Sequence, residues 1–470
     1  MRFTNFNTYI DKMKQKLLIA FISLIPFTKN SFSQNDTLRV IAYNVLHYGD
    51  GCQGSNGYLH SKLKTIVQYA NPDVIGLVKM QVIKLSATDG NGISPVGFAD
   101  SVVNYALDAA YPGRYAYCTL TDYANGNDND MDVLFYNQNK LGFVSVKNLC
   151  DIEEDFDLYK LYYKDPNLSS THDTTFLYFV LNHTVSGSTT NNIDSRNQQD
   201  TLVIHNLKNI FYHLPNLISM GDFNTHISTE AGYEMYTTTT DTSFLFYDPP
   251  FGIDHVFNYP LAWNGCSSCQ AYLNTTTRAS ATVPNSCGTS GGLGDWFIHI
   301  LLSGWLTNNF DYIKYIPHSY TTIGNNGNRL NISVNDSTTH GLNTSAPQNV
   351  LDAIFNLSDK YPVMVKLGVT YNTTGTGPAN PVSSINKITN SQALIKTNNP
   401  VQNTITIQFP SDMAGQKATI TWYDVTGKLL STEEYIISDQ INRAVDLEQG
   451  TYILHIQTNQ ESFTARILKL

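Results

Sequence analysis

Leu217-Ile218-Ser219-Met220-Gly221-Asp222-Phe223-Asn224 is the stretch that decides how this chain is read. Residues 217–220 form a short, largely apolar run of the kind that makes a buried strand. Asp222 and Asn224, spaced i and i+2, leave the end of that strand on the same side. A carboxylate and an amide placed this way can hold a phosphoryl oxygen, a metal-bound water or a metal ion. Taken alone, a strand ending in Gly-Asp-x-Asn is more often a plain turn. Its weight comes from other segments.

Upstream, Ala42-Tyr43-Asn44-Val45 closes a strand-like run that begins at Leu38. Asn71-Pro72-Asp73-Val74-Ile75-Gly76-Leu77 and Phe179-Val180-Leu181-Asn182-His183 follow, and downstream comes Leu357-Ser358-Asp359-Lys360-Tyr361-Pro362-Val363. In this order and spacing the segments resemble the endonuclease/exonuclease/phosphatase superfamily, which includes pancreatic-type deoxyribonucleases, abasic-site endonucleases, sphingomyelinases and inositol-polyphosphate phosphatases. The resemblance covers residues 35–370. It implies an α+β fold, a two-sheet β-sandwich flanked by helices, and Mg²⁺-dependent phosphoester hydrolysis. It also implies roles: Asn44 would orient a metal-site carboxylate, His183 would donate to a phosphate oxygen or leaving group, and Asp222 would hold the phosphate or the attacking water. Asn224 would help fix that group, and Asp359 would bind metal or bridge to a catalytic histidine.

The departures from that pattern are as informative as the matches. Where the family places a metal-binding Glu after the strand reading PDVIGL, this chain has Lys79. Where Ser-Asp-His-x-Pro-Val supplies the catalytic His, it has Lys360. In Gly292 to Ser303, GLGDWFIHILLS, Trp296 stands at the usual Arg and Ile298 at the Asp that orients the His. An ammonium offers three donors and no lone pair, so Lys79 cannot replace a carboxylate. Lys79 is expected to salt-bridge Asp359 or Asp222 and to repel Mg²⁺. Lys360, with a reference pKa near 10.4, would be a base only if burial lowered it by several units.

Composition bounds the function further. A chain of 470 residues, 41% hydrophobic, can bury a large core and suggests two or three domains. Its net charge of −10 lacks the basic footprint of a tight, passive nucleic-acid binder, although local phosphoester chemistry stays open. Lys12, Lys14 and Lys16 precede an apolar run from Leu17 to Phe27, and Ser31-Phe32-Ser33 has small residues where a signal peptidase reads. Residues 1–33 are therefore expected to be a signal peptide, with no membrane span elsewhere, and the mature chain is expected to be a monomer. Of the 6 cysteines, Cys266 and Cys269 with Cys287 imitate a zinc or redox group, but no fourth close ligand stands nearby, and a loop-stapling disulfide is the better reading. Asp128-Asn129-Asp130-Met131-Asp132 begins like a calcium loop but lacks its Gly and Glu, and reads as a solvated acidic turn. Asp254-His255 has no nucleophile beside it.

Helices are expected over residues 57–70 and 98–110, and buried strands at 133–136, 176–181, 202–204 and 217–220. Residues 371–390 have linker composition, rich in Asn, Thr, Gly, Pro and Ser. Alternating segments at 404–409, 417–423 and 451–457 read as a small β-sandwich over residues 391–470. The pieces Asn399-Pro400-Val401, Tyr423-Asp424-Val425-Thr426-Gly427-Lys428, Gln449-Gly450-Thr451-Tyr452 and Arg466-Ile467-Leu468-Lys469 resemble the type IX secretion C-terminal sorting domain of Bacteroidetes proteins. That resemblance implies the type IX secretion machinery as a partner and a secreted or cell-surface location. Three functions stay open on sequence: a nuclease/phosphatase scaffold that has lost catalysis, an active Mg²⁺-dependent phosphodiesterase acting on a phosphoester or nucleic-acid substrate, and a surface adhesin or glycan binder.

Overall fold

The structure, a computed structural model, describes residues 34–81, 94–121, 130–154, 156–256, 258, 262–280, 287–308, 311–338, 341–373, 375, 396–399, 401–409, 415–424, 428–438, 440–458 and 462–470. The expected signal peptide and most of the expected linker lie outside these residues, as do Asp128 and Asn129. The chain divides into two compact units, residues 1–378 and 379–470.

In the first unit, the long apolar strand Asp36–Tyr48 and the strand Val74–Gln81 run parallel at the middle of one sheet. Val363–Val369 and Ile313–Tyr315 extend that sheet on one side, and Asp130–Asn137 and Tyr115–Tyr117 on the other. A second sheet is ordered Leu141–Cys150, Phe156–Tyr163, Phe176–His183, Leu217–Asp222, Ile298–Ser303, Phe246–Tyr247. Its central pair, Phe176–His183 and Leu217–Asp222, is again parallel. The inward faces of both sheets belong to one continuous apolar core. Their approach is close at Gly76: a Cβ there would meet Leu181 Cδ2 at 2.5 Å and Met220 Cε at 2.7 Å, so any larger residue would have to push those two side-chain ends aside. The fold is the α+β two-sheet sandwich with flanking helices that the sequence led us to expect.

Helices cover the outside. Ser55 caps Asn56–Ala70 by accepting from the Tyr58 N–H, and Asn71 ends it in the left-handed conformation. Residues 95–110 are helical throughout, with a π-type turn at Val103–Leu107 in the middle. The expected strand at 202–204 is a correction. Leu202, Val203 and Ile204 lie inside the helix Thr190–Ile210, capped by Thr189. Three apolar residues do not set a period; the buried positions Arg196, Gln199, Asp200, Val203, Ile204 and Leu207 do, and their spacing is helical. The polar members Arg196 and Asp200 hid that stripe.

The second unit is all β. The strands Lys396–Thr397, Thr404–Gln408 and Gln440–Ala444 form one sheet, and Leu429–Ile436, Lys417–Asp424, Gly450–Thr458 and Ser462–Lys469 another. Val401, Ile405, Ile407, Ile420, Trp422, Leu454, Ile456 and Ile467 share one core between them.

Candidate functional site

The central strands of both sheets deliver polar side chains at their carboxyl ends: Asn44, His183 and Asp222. His183 and Asp222 are register partners, as are Asn182 and Gly221. Gly221 has φ +141°, and a Cβ there would stand 1.9 Å from the Asn182 carbonyl oxygen, so the turn that presents Asp222 requires glycine. Asp222 is buried. Its Oδ2 accepts from Asn44 Nδ2 at 2.8 Å and its Oδ1 from the Asn224 N–H at 3.1 Å. Asn224 sits at φ +46° and donates through Nδ2 to the Thr184 carbonyl at 2.8 Å. Asn44 is held in turn by the Leu46 N–H on its Oδ1 and by the Ser358 hydroxyl on its carbonyl. The structure thus brings Asn44, Asp222 and Asn224 into one hydrogen-bonded group.

Ser358 leads to the second group. Asp359 Oδ2 accepts from the Thr289 N–H at 2.8 Å, from Thr289 Oγ1 at 2.6 Å and from Lys360 Nζ at 3.1 Å. Burial alone would raise the Asp359 pKa, but Lys360 and the two Thr289 donors outweigh it and hold it at about 2. Burial would likewise pull Lys360 down, and the carboxylates of Asp359 and Asp222 push it up instead. Lys360 is therefore a buried ammonium, not a base. The ion pair expected for Lys79 is made by Lys360 instead. Lys79 is half-buried at φ +63°, its N–H donates to Asp132 Oδ1 at 3.0 Å, and among the described residues it has no ion pair with Asp359 or Asp222. Arg278, also buried and overlooked in the sequence, donates to the carbonyls of Phe355 and Cys287 at 3.0 Å and to Gln53 Oε1.

A third group surrounds His183. Its Nδ1 lies 3.4 Å from Glu154 Oε2, close enough for an ion pair. Burial would lower the His183 pKa, but the carboxylates of Glu154 and Asp132 raise it to about 10. Asp132 is half-buried with its Oδ2 shut off from water, and desolvation pushes its carboxyl well above the usual range. The reading of 128–132 as a solvated acidic turn is therefore wrong for its second half. Asp130 and Asp132 belong to the strand Asp130–Asn137, and Asp130 pairs with His47 Nδ1 at 2.8 Å. Nothing local in the sequence ties Glu154 or Asp132 to His183, because they come from a loop and from the other sheet.

Ile298 opens the strand Ile298–Ser303, and Trp296 stands two residues before it. Ile298 is the register partner of Asp222 and is fully buried. Asn274 clamps its backbone, accepting from the Ile298 N–H at 3.0 Å and donating to its carbonyl at 2.7 Å. The Asn274 carbonyl accepts from the Tyr361 N–H, so the same residue ties this strand to the Lys360 turn. Trp296 stacks on His299 and Tyr272, and its Nε1 donates to the Ile298 carbonyl and Tyr320 Oη.

Magnesium takes oxygen ligands at near-ideal octahedral positions. Here three of the four carboxylate oxygens of Asp222 and Asp359 already accept hydrogen bonds, and an ammonium stands against Asp359. Asp359 Oδ1 is buried without a partner, a single free oxygen. Among the described residues, no group of three or more His, Cys, Asp or Glu is placed to hold a metal ion. The residues present do not fit a divalent cation. The cysteines pair as Cys52–Cys287 and Cys266–Cys269, and Cys118 and Cys150 are buried thiols outside these disulfides. Cys52–Cys287 staples the segment before Thr289 to the loop after Tyr48.

The secretion system C-terminal sorting domain family matches residues 399–469. That domain indicates a secreted or cell-surface protein and implies the secretion machinery as a partner. No helix among the described residues is long and apolar enough to cross a membrane. No curated protein matches the chain. Similar solved structures include the human Nocturnin catalytic domain, 15% identical, covering 71% of this chain and 95% of its own at a TM-score of 0.40. An endonuclease/exonuclease/phosphatase family protein from Bacteroides thetaiotaomicron is 15% identical over 71% of this chain and 96% of its own, with a TM-score of 0.38. A mannosyl-6-phosphatase of the same organism is 14% identical over 70% of this chain and 99% of its own, also at 0.38.

Proposed function

We propose that this is an exported protein built on the nuclease/phosphatase scaffold in which metal-dependent phosphoester hydrolysis has been lost. The observation that carries the reading is the buried Lys360–Asp359 ion pair, 3.1 Å long, at the position where the resembled enzymes have their catalytic histidine. A hydrolytic base must accept a proton from water. The Lys360 ammonium has no lone pair to do so, and its carboxylate neighbours hold the proton on it. Ile298 supplies no group that would orient an imidazole. Asp359, which would face a metal, is committed to Lys360 and Thr289. Asn44, His183, Asp222 and Asn224 can still position an oxyanion, with the cationic His183 as the charged donor. Positioning without a base leaves hydrolysis lower by on the order of 10³ to 10⁶.

An active phosphodiesterase is the second reading, favoured by the assembled group of Asn44, Asp222 and Asn224. Hydrolysis of plasmid DNA and of a bis-aryl phosphate with added Mg²⁺ separates the two. The unaltered chain is expected to be inert, and Lys79→Glu or Lys360→His singly to gain little. Both combined with Ile298→Asp are expected to recover cleavage that Asp222→Ala abolishes again. Robust turnover by the unaltered chain, lost on Asp222→Ala, would overturn the proposal.

A further inference from the structure

We infer that the first unit carries a second binding site, for a small phosphomonoester, on the outer face of its first sheet. Arg39 and Lys366 are direct cross-strand partners there. Like charges placed opposite each other in a sheet repel. Both side chains are half-buried, and neither makes an ion pair or side-chain hydrogen bond among the described residues. They line a cavity of about 370 Å³ that no carboxylate enters. The nearest carboxylate to Arg39, Asp73, accepts from its backbone N–H and pairs with Arg114 and Lys140, so in a chain of net charge −10 both side-chain cations are left without a counter-charge of their own among the described residues.

The other polar side chains of the cavity are spent. Tyr69 Oη donates to the Ser345 carbonyl, Thr321 Oγ1 to Ser319, Thr322 Oγ1 to Tyr272, and Asn325 Nδ2 to Gln270 and Leu273. Arg39 and Lys366 therefore supply the free donors, and what they can satisfy is an anion. A guanidinium fork beside an ammonium suits a tetrahedral oxyanion. A phosphomonoester, at close to two negative charges, balances both cations, whereas a sulfate ester balances one. The cavity is larger than an ion needs and falls at the small end of ligand pockets, about 300 to 1,000 Å³. Met364, Ile323 and Ala70 give it apolar walls for an organic body. The site is separate from the cleft. Arg39 precedes Asn44 by five strand positions, about 17 Å, and points to the opposite face.

Calorimetric titration of the mature chain with glucose 6-phosphate, inorganic phosphate and glucose 6-sulfate tests this. Glucose 6-phosphate is expected to bind at about millimolar or tighter, ahead of the other two. Arg39→Gln and Lys366→Gln are each expected to weaken it by about tenfold or more, and Asp222→Asn to leave it unchanged. The melting temperature of the ligand-free Lys366→Gln chain should hold or rise, since a repulsion is relieved. No heat with glucose 6-phosphate, equal affinity in the Arg39→Gln/Lys366→Gln chain, tighter binding of the sulfate ester, or binding lost with Asp222→Asn would each overturn the assignment.

Discussion

The two halves of the cleft are built on different principles. Around Asp222, each polar side chain is held by backbone or by a neighbour: Gly221 sets the turn, Asn224 bonds Thr184, and Asn44 bonds Leu46 and Ser358. That half keeps its geometry whether or not anything binds. Around residues 296–298 and 360, the replaced positions have been absorbed into the fold. Ile298 is core, Trp296 belongs to an aromatic stack with His299 and Tyr272, and Lys360 neutralises Asp359. The first half keeps its geometry through its own hydrogen bonds, while on the reading proposed above the second has exchanged chemistry for stability. Restoring the family residues there should therefore cost stability before it returns any function.

Ile298→Asp is the hardest test of that contrast. It places a carboxylate in a fully buried position opposite Asp222, so a loss above about 4 kcal/mol in chemical denaturation is expected. Lys360→His should return part of that loss, because Asn274 ties the Ile298 strand to the Lys360 turn and brings an imidazole partner near. A small cost for Ile298→Asp alone would mean that the position is wetter than its burial implies. Lys360→Met comes next. It leaves the Asp359 carboxylate buried without its cation, and a loss of about 3 to 5 kcal/mol is expected. A neutral outcome would place the stabilisation of Asp359 with Thr289 alone.

His183 gives a smaller, pH-dependent effect. Its pKa is raised from 6.5 to about 10 in the folded state, so the imidazolium stabilises the fold fully below 6.5, and that contribution is lost as the pH climbs toward 10. The stability gap between the unaltered chain and His183→Gln should then be widest in mild acid and shrink in alkali. A gap that grew with pH would mean that the folded ring is neutral.

Legibility from sequence followed the same division. Gly221-Asp222-Phe223-Asn224 could be read because its turn is set by short-range backbone requirements, whereas Asn44 was legible only from its place in the resembled motif, its bonds to Asp222 and Ser358 being long-range. The substitutions at 79, 296, 298 and 360 were visible as residue types, but their partners were not. Pairing of Lys360 with Asp359 rather than Lys79 depends on how the Ser358 turn packs, and nothing in residues 77–79 encodes that. Glu154 and Asp132 reach His183 from distant segments, and Arg278 is buried by the Cys52–Cys287 connection; contacts of that range leave no periodic trace.

The most direct test of the central claim is titration of the unaltered chain with Mg²⁺ by calorimetry. On the proposed reading, in which Lys79 replaces a metal-binding carboxylate and Lys360 holds Asp359, binding no tighter than about millimolar is expected. A micromolar dissociation constant, abolished by Asp222→Ala, would contradict the account and restore the chain to the metal-dependent hydrolases.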